Sequence, residues 1–282
     1  MTRLPDYLKR GIIDTDKTKQ VRKILKDTCL NTVCESARCP NKSECYTKNT
    51  ATFLILGTIC TRNCRYCNIS AGNPTQLDKE EPAKIAKAVK DLELTYVVIT
   101  SVTRDDLPDG GAEHFANTIN EIRKISKHIK IEVLVPDFNG NEQSINKVLY
   151  ASPDVFNHNL ETVPDLFKIA RPMASYKRSL EILNYAKQKS PASKTKTGLM
   201  VGLGETKEQL INVFYDLKKI NCDIVTIGQY IQPSKAHIEV KKYYAPEEYE
   251  ELSQIAKRIG INHTFFSPLT RSSYKAMEVF SR

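Results

Sequence analysis

The stretch from residue 52 to residue 100, TFLILGTICTRNCRYCNISAGNPTQLDKEEPAKIAKAVKDLELTYVVIT, sets the pattern of the chain. It begins with an apolar run, Thr52–Leu56, followed by a loop with three cysteines. A segment of helical period, Pro82–Glu93, and a second apolar run, Tyr96–Thr100, complete it. Short runs rich in β-branched residues predict buried strands, and apolar residues at helical spacing predict an amphipathic helix. The stretch therefore predicts a strand–helix–strand unit with a functional loop after its first strand.

The same alternation continues along the chain until six strand–helix pairs have been formed. Further strands are predicted at Ile131–Val135, Val155–His158, Thr197–Gly202 and Asp223–Ile227. Further helices are predicted at Glu113–His128, Gln143–Ala151, Ser175–Lys189, Thr206–Ile220 and Pro246–Ile259, and a last apolar run is Thr264–Phe266. Such repetition favours a parallel sheet with helices outside it, either doubly wound or curled into a complete or partial barrel. The active site of these folds lies at the carboxyl ends of the strands.

Length and composition set limits on the domain organisation. The chain has 282 residues, of which 40% are hydrophobic and 27% charged, as in ordinary globular proteins. We predict a core over residues 51–260, an N-terminal extension over residues 1–50 and a C-terminal extension over residues 261–282. No apolar run approaches the roughly 18 residues that span a bilayer, and the polar start is unlike a secretory signal. We expect a soluble, cytoplasmic protein with no membrane partner.

The chain is basic, with 42 Lys and Arg against 33 Asp and Glu and a net charge of +9. Such a balance suits nucleic acid, an anionic membrane surface or an acidic protein. The lysines are scattered, however, and no run of five basic residues or aromatic–basic interleaving typical of RNA binding occurs. We interpret the charge as a solvated surface, with an acidic protein partner as the next option and no nucleic-acid binding.

Cysteine is the most informative residue type, because seven of the eight cysteines fall between Cys29 and Cys67. In a chain that is neither small nor evidently secreted, this clustering indicates metal binding rather than disulfides. The motif Cys60-Thr-Arg-Asn-Cys64-Arg-Tyr-Cys67 aims three thiolates at one point. Three is one short of the four that saturate a 4Fe–4S cluster, so one iron would stay open to chelate a small molecule. A structural zinc site would need further ligands, and no second pair follows.

A second set of three cysteines precedes the first, with Cys34, Cys39 and Cys45 separated by four and five residues. This set is also one ligand short of a closed cluster. A zinc knuckle or reactive thiols are the alternative interpretations. Cys29 could be counted as a fourth ligand, whereas Cys222 is most simply a small buried apolar residue.

The first motif resembles the signature of the radical S-adenosylmethionine superfamily, three cysteines with an aromatic residue before the last. The resemblance implies a 4Fe–4S cluster on Cys60, Cys64 and Cys67 that binds S-adenosylmethionine and cleaves it to a 5′-deoxyadenosyl radical. The radical then takes a hydrogen atom from an unactivated carbon, while the protein supplies positioning. The predicted fold class is α/β, a partial (β/α)6 TIM-like barrel with N- and C-terminal extensions.

Outward from the cysteines, the resemblance narrows to the lipoyl synthases. Its motifs occur in family order between about residue 30 and residue 276. They are Thr32-Val-Cys-Glu, Cys39-Pro-Asn, Thr50-Ala-Thr-Phe, Arg104-Asp-Asp-Leu-Pro-Asp-Gly-Gly-Ala, Glu132-Val-Leu-Val-Pro-Asp-Phe, Asn157-His-Asn-Leu-Glu-Thr-Val, Gly198-Leu-Met-Val-Gly-Leu-Gly-Glu-Thr, Thr226-Ile-Gly-Gln-Tyr-Ile-Gln-Pro-Ser and Arg271-Ser-Ser-Tyr. Thr103 departs from the family pattern, because an acidic residue is expected there.

The resemblance implies insertion of two sulfur atoms at C6 and C8 of an octanoyl chain carried on a lysine of a lipoyl domain or carrier protein. It implies an electron donor such as ferredoxin or flavodoxin. It also implies a second 4Fe–4S cluster, the sulfur donor, on Cys34, Cys39 and Cys45 and closed by Ser273 of the Arg-Ser-Ser-Tyr motif. From the residues alone, Ser272 and Ser273 would be interpreted as a helix N-cap.

The resemblance further suggests which residues contact S-adenosylmethionine. They are Tyr66 beside the cluster or the adenine, Gly110 and Gly111 at the methionine end, Gly202 on the adenine side, and Asn159, Glu161 and Arg171 in the pocket. Purely structural roles stay open as alternatives to cofactor binding. They are loop packing for the tyrosine, ordinary turns for the glycines and a surface position for the arginine. The Gly202-Leu-Gly204 turn alone is a weak match to a phosphate loop.

Two other functions stay open at this point. A biotin-synthase-like enzyme would share the first cysteine motif, but the spacing of Cys34, Cys39 and Cys45 and the terminal Arg-Ser-Ser-Tyr argue against it. A basic metal-binding module for nucleic acid would be colourless and would bind its target with strong salt dependence. The sulfur-inserting enzyme is instead expected to be brown and to carry two clusters.

Overall fold

The computed structural model describes residues 4–11, 15–48 and 50–280. Residues 1–3, 12–14 and 49 of the predicted N-terminal extension and residues 281–282 of the C-terminal one lie outside this range. The described chain is a mixed α/β structure with mostly parallel strands, which confirms the predicted class. Within it, no helix is both long and apolar enough to cross a membrane.

The strands and helices are numbered along the chain. The strands are Asn31–Thr32 (β1), Thr52–Ile55 (β2), Ile59–Cys60 (β3), Ser70–Ala71 (β4), Tyr96–Ser101 (β5), Lys130–Leu134 (β6), Val155–Asn157 (β7), Lys194–Val201 (β8), Ile224–Gln229 (β9) and His263–Phe266 (β10). The α-helices are Asp16–Asp27 (α1), Val33–Ser36 (α2), Lys42–Thr47 (α3), Glu81–Asp91 (α4), Ala112–Ile125 (α5), Glu142–Tyr150 (α6), Phe167–Ala170 (α7), Tyr176–Lys189 (α8), Lys207–Lys219 (α9), Pro246–Ile259 (α10) and Ala276–Phe280 (α11). Short 3₁₀ helices lie at Asp6–Leu8, Phe138–Gly140 and Pro164–Leu166.

All six predicted strand–helix pairs are present, so the alternation read from the sequence is confirmed. The largest differences are of three residues: α5 ends at Ile125 instead of the predicted His128, and β8 starts at Lys194 instead of the predicted Thr197. Charged residues at the start of this strand concealed it, because Lys196 is fully buried in the structure. A hydropathy pattern cannot predict a lysine in the core.

Helix α1 was not predicted, although residues 1–50 carry a local signal for it. Thr15 and Thr18 form a reciprocal capping box, in which the backbone N–H of each donates to the hydroxyl of the other at 2.8 and 3.3 Å. Val21 and Leu25 then bury one face at helical spacing.

The described chain divides into two compact units. The first unit comprises Ile12–Arg62 and Asn68–Phe156. Its strands follow the order β1-β2-β5-β6-β7. Strand β1 is antiparallel to β2, whereas β2, β5 and β6 are parallel to one another. The carboxyl ends of β2 and β5 therefore lie at the same edge of the sheet, and the loops that follow them carry site residues.

The second unit comprises Met1–Gly11, Asn63–Cys67 and Asn157–Arg282. Its strands β8, β9 and β10 are parallel in that order. The core between these strands and their helices includes Val201, Phe214 and Ile227, and the ring of Phe214 stacks on that of Phe266 at 5.7 Å. The segment after β7 runs along β8, because Glu161 pairs with Leu199 in a parallel bridge.

Candidate functional site

In the first unit, two short helices and the turn between them carry the second set of cysteines. Cys34 lies on α2, Cys45 lies on α3, and Cys39 lies in the turn between them. Thr32 caps α2 by accepting the Glu35 N–H at 3.3 Å. The Cys39 N–H donates to the Cys34 carbonyl at 3.1 Å, which turns the chain back on itself. All eight cysteines of the chain are described and all are free thiols.

Burial and the neighbouring thiols oppose the ionisation of Cys34 and Cys45. Burial, and then the neighbouring Cys39, raises the pKa of Cys34 to about 11. Burial, and then Cys34 and Cys39, raises the pKa of Cys45 to about 12. The structure therefore brings together the set that the sequence grouped.

The donor chemistry of this set suits iron–sulfur, since soft thiolate sulfur is its usual protein ligand. Within the described residues, no three His, Cys, Asp or Glu side chains are already arranged to hold a metal ion. Metal binding would have to draw the thiols together and remove their protons.

Cys60 ends β3 in the same unit and has a different environment. Its Sγ accepts the backbone N–H groups of Arg62 at 3.4 Å and Thr103 at 3.3 Å. The two backbone donors fix the position of this sulfur. This arrangement suits a cysteine that serves as a metal ligand.

The side chain of Arg62 is buried beside Cys60, and sequence reasoning missed it. It bonds Asp105 at 2.7 and 2.8 Å and Asn139 at 2.8 Å, and pairs with Asp137 at 2.7 Å. Burial alone would raise the pKa of Asp105, but the hydrogen bond and charge of Arg62, together with the bonds from Thr61 and Asn139, outweigh it and hold that pKa below its usual value. The sequence did carry a signal for this interaction. An arginine lies inside the cysteine motif, and a pair of aspartates follows strand β5.

The loop after β5 contains the two glycines that were predicted at the methionine end of the cofactor. Gly110 and Gly111 have φ of +63° and +88°, and the Asp109 carboxylate accepts the N–H groups of Gly111 and Glu113, each at 2.9 Å. A cavity of about 570 Å³ opens beside Gly110. Its walls come from the loops after β5 and β6: Thr103, Asp105, Asp106, Leu107, Pro108, Pro136, Phe138, Asn139, Gly140 and Asn141.

Leu56 follows β2 in a left-handed conformation, with φ +69°. Such a conformation costs a residue other than glycine about 1–2 kcal/mol. The Leu56 side chain packs against Gly111, where a Cβ would lie only 2.3 Å from Leu56 Cδ1. Gly111 is therefore required at least for packing, whatever its role toward a ligand.

In the second unit, backbone bonds fix the loop that carries Cys64 and Cys67. The Cys67 N–H donates to the Cys64 carbonyl at 3.0 Å, and the Arg65 N–H donates to the Ala170 carbonyl at 2.9 Å. His237 Nε2 donates to the Cys67 carbonyl at 3.0 Å. His237 was not predicted, and nothing in its local sequence marks it.

Four predicted cofactor residues come together in this unit: Tyr66, Asn159, Glu161 and Arg171. The Tyr66 hydroxyl bonds the Glu161 carboxylate, and Asn159 Nδ2 donates to Glu161 Oε1 at 3.1 Å. Arg171 Nη1 donates to the Asn159 carbonyl at 2.8 Å. Burial raises the pKa of Tyr66 well above its ordinary value, and Glu161 and the two cysteines add to the effect. Burial also raises the pKa of Glu161, against the opposing charge of Arg171.

Asn159 also connects this group to the Arg271-Ser-Ser-Tyr motif. Its Nδ2 lies 3.2 Å from the hydroxyl of Ser272, whereas Ser273 is half-buried in the turn before α11. The buried Asn159 Oδ1 accepts no hydrogen bond within the described chain. A buried acceptor without a donor fits a ligand that brings an N–H or O–H group.

The turn after β8 is closed by its own carboxylate. Glu205 accepts the backbone N–H groups of Gly202, Leu203 and Gly204 at 2.6, 2.9 and 3.1 Å. The Gly202 N–H is thereby used within the fold. Gly202 has φ +100°, and a Cβ there would lie 2.2 Å from Gln229 Nε2 and 2.4 Å from the Lys242 carbonyl.

Replacing Gly202 by alanine is expected to lower the free energy of unfolding by about 2–4 kcal/mol, through backbone strain plus steric overlap. Gly204→Ala is the matched control, because its φ is +117° but a Cβ would meet only Lys241 Cγ, at 3.5 Å. Urea unfolding of the metal-free protein should show a loss at least about 1 kcal/mol smaller for the control. Equal losses would show that overlap contributes nothing.

Known proteins resemble this chain in sequence and in structure. The sequence model of the Radical SAM superfamily matches residues 54–217. A lipoyl synthase of Caldicellulosiruptor saccharolyticus is 53% identical over 277 residues, which cover 98% of this chain and 97% of the relative. A lipoyl synthase of Caldanaerobacter subterraneus subsp. tengcongensis is 52% identical over 274 residues, covering 97% of this chain and 96% of that relative.

Solved structures give a second comparison, at 13% identity in both cases. Streptococcus suis SuiB bound to S-adenosylmethionine matches with a TM-score of 0.56, over 81% of this chain and 53% of that one. HydG, a maturase of the [FeFe]-hydrogenase, matches with a TM-score of 0.59, over 91% of this chain and 57% of that one. These likenesses show the fold alone, that of radical S-adenosylmethionine enzymes with their partial barrel, and confirm the predicted fold class.

Proposed function

We propose a reaction for this chain from the premise that it belongs to the lipoyl synthase family, within the radical S-adenosylmethionine superfamily. Membership makes it an enzyme with a 4Fe–4S cluster and S-adenosylmethionine. The proposed reaction inserts two sulfur atoms, at C6 and C8 of an octanoyl chain that is amide-linked to a lysine. The observation that carries it is the pair of three-cysteine sets in a chain whose relatives bear that name.

Cys60, Cys64 and Cys67 would hold the first cluster and leave one iron open. When bound, this cluster and S-adenosylmethionine would supply the radicals that abstract hydrogen from the octanoyl chain, and a second cluster would supply the sulfur. The N–H groups of Arg62 and Thr103 would stabilise the thiolate of Cys60. The two backbone hydrogen bonds to the Cys60 sulfur support its role as a ligand, because such bonds orient a metal ligand.

Cys34, Cys39 and Cys45 of the N-terminal extension, with Ser273 of the C-terminal extension, would hold the second cluster. The effect of the neighbouring thiols on the pKa values of Cys34 and Cys45 supports a shared site. A serine oxygen is a harder donor than thiolate and suits iron–sulfur less well. The bond between iron and the Ser273 oxygen would therefore be the most easily broken ligand bond of a cluster that must give up sulfur.

Tyr66, Asn159, Glu161 and Arg171 would position S-adenosylmethionine, with Gly110, Gly111 and Gly202 lining its two ends. The buried Glu161 carboxylate and Asn159 Oδ1 are acceptors for ribose hydroxyls or the ammonium group. Arg171 Nη1 holds the Asn159 carbonyl, so its role would be to fix these acceptors. Because these two acceptors would already be held in place, the cofactor could be oriented without any rearrangement of the side chains that bind it.

The acceptor would be an octanoylated lipoyl domain or carrier protein, and the net charge of +9 suits an acidic one. The electron would come from a donor such as ferredoxin or flavodoxin. A reducing, cytoplasmic compartment is part of the proposal, because all eight cysteines are free thiols.

An anaerobic single-turnover experiment tests the reaction. Reconstituted enzyme, dithionite, S-adenosylmethionine and an octanoyl-lysine peptide are mixed, and the peptide is read by mass spectrometry. A peptide that gains two sulfurs, with formation of 5′-deoxyadenosine, is expected. If deoxyadenosine forms but the peptide gains no sulfur, the proposed substrate is wrong. If fully clustered protein forms neither product, the proposed reaction class is wrong.

A further inference from the structure

The turn that leads from β2 to Cys60 begins with a strained, buried residue. Leu56 and Gly57 both have positive φ, +69° and +93°. Glycine takes this conformation freely, but a leucine takes it only when its surroundings hold it there. Leu56 is only 1% exposed, so the surroundings that hold it lie inside the first unit.

Buried charged side chains hold both peptide groups of this leucine. The Leu56 N–H donates to Glu81 Oε2 at 2.9 Å, and His114 Nε2 donates to the same oxygen at 2.7 Å. On the other side, Arg104 Nη1 donates to the Leu56 carbonyl at 3.1 Å, while Asp106 orients the guanidinium at 2.8 and 2.9 Å. Glu81, His114 and Arg104 are each less than a tenth exposed, and bonds to charged groups are strongest in such surroundings.

The same loop holds the other end of the segment. Thr103, which precedes Arg104, donates its N–H to Cys60 Sγ at 3.3 Å and accepts the Thr61 N–H at 3.0 Å. Residues 103–104 therefore fix both Leu56 and Cys60, the first and last residues of segment 56–60. The conformation of Leu56 and the place of the Cys60 sulfur are set together.

We propose that Glu81, His114 and Arg104 are positioning residues, which hold Leu56 in its left-handed turn and thereby place the Cys60 sulfur for the cluster. This inference rests on the proposed function, in which Cys60 is a cluster ligand. None of the three is needed as a ligand, and nothing in their sequence spacing relates them to the cysteine motif.

The test uses a background in which Cys34, Cys39 and Cys45 are all alanine, so that bound iron reports only on the Cys60 set. Protein is reconstituted anaerobically, and the chelator concentration that strips half of its iron is measured. Glu81→Ala should lower this concentration about tenfold, the usual scale for removing a group that orients a metal ligand. Glu80→Ala, an exposed neighbour on the same turn, is the matched control and should leave it unchanged.

A rescue variant separates positioning from a merely structural role. Glu81→Ala combined with Leu56→Gly should regain most of the lost cluster retention, because glycine adopts the turn unaided. The electron paramagnetic resonance spectrum of the reduced cluster, and its response to S-adenosylmethionine, should recover as well. Leu56→Gly also removes a buried side chain, so urea unfolding should show the double variant to be less stable than Glu81→Ala alone. Cluster retention and stability are thus expected to change in opposite directions.

Two results would overturn the inference alone: Glu81→Ala retaining iron as well as Glu80→Ala does, or the double variant binding as weakly as the single one. A parent background that binds no cluster at all would overturn the proposed role of Cys60 and, with it, the inference. The two failures are therefore distinguishable.

Discussion

Cys64→Ala should reduce the formation of 5′-deoxyadenosine to the level of an enzyme-free control. Two thiolates cannot hold a cluster that keeps one defined open iron, so S-adenosylmethionine would have no iron to chelate. The hydrogen bond from Cys67 to Cys64 joins backbone atoms, so alanine leaves the turn intact. The variant therefore removes the sulfur and little else. Anaerobic incubation with dithionite, followed by chromatography of the nucleoside, measures the effect.

The matched control is Cys29→Ser, which removes an exposed thiol to which no ligand role has been assigned. It should form deoxyadenosine at the parental rate. Deoxyadenosine formation by Cys64→Ala above the enzyme-free level would contradict the assignment of the first cluster to this motif.

Cys39→Ala should separate the two halves of the reaction. Cofactor cleavage should persist, because Cys60, Cys64 and Cys67 are untouched, whereas the product with two sulfurs should disappear. The backbone bond from Cys39 to Cys34 and the one from Lys42 to Cys39 do not involve the thiol, so the turn between α2 and α3 is expected to survive. Mass spectrometry of the octanoyl-lysine peptide and the yield of deoxyadenosine, from one reaction, test both statements.

Iron analysis supplies the internal check for this variant. The metal content should fall by about one cluster of the two proposed, since one of the two cysteine sets is broken. Formation of the dithiolated peptide by Cys39→Ala would mean that Cys34, Cys39 and Cys45 do not hold the sulfur donor.

The fold could be predicted largely from periodicity. The helix predicted at Pro246–Ile259 has these bounds in the structure, and the strand predicted from Tyr96 ends one residue later than expected. Failures occurred where hydropathy and burial disagree, as at Lys196, or where capping replaces an apolar run, as in α1. Single-residue conformations such as the left-handed Leu56 leave no mark in composition or spacing.

The candidate site was predictable where chemistry requires unusual residues close together in sequence. Cys34, Cys39 and Cys45 were grouped by spacing alone, and the structure places them within electrostatic reach of one another. The partnership of Tyr66 with Glu161 joins residues distant in sequence, so only a resemblance suggested a shared role. Supporting residues such as the buried Arg62 and the half-buried His237 were not found, because an isolated Arg or His has many ordinary uses.

The side chain of Glu205 occupies the turn after β8 from within. Three successive backbone N–H groups of this kind often cradle phosphate in nucleotide-binding proteins. Here the Glu205 side chain already accepts all three, and a phosphate brought to the same place would have to displace it. The turn is thus closed to phosphate by a side chain of its own sequence.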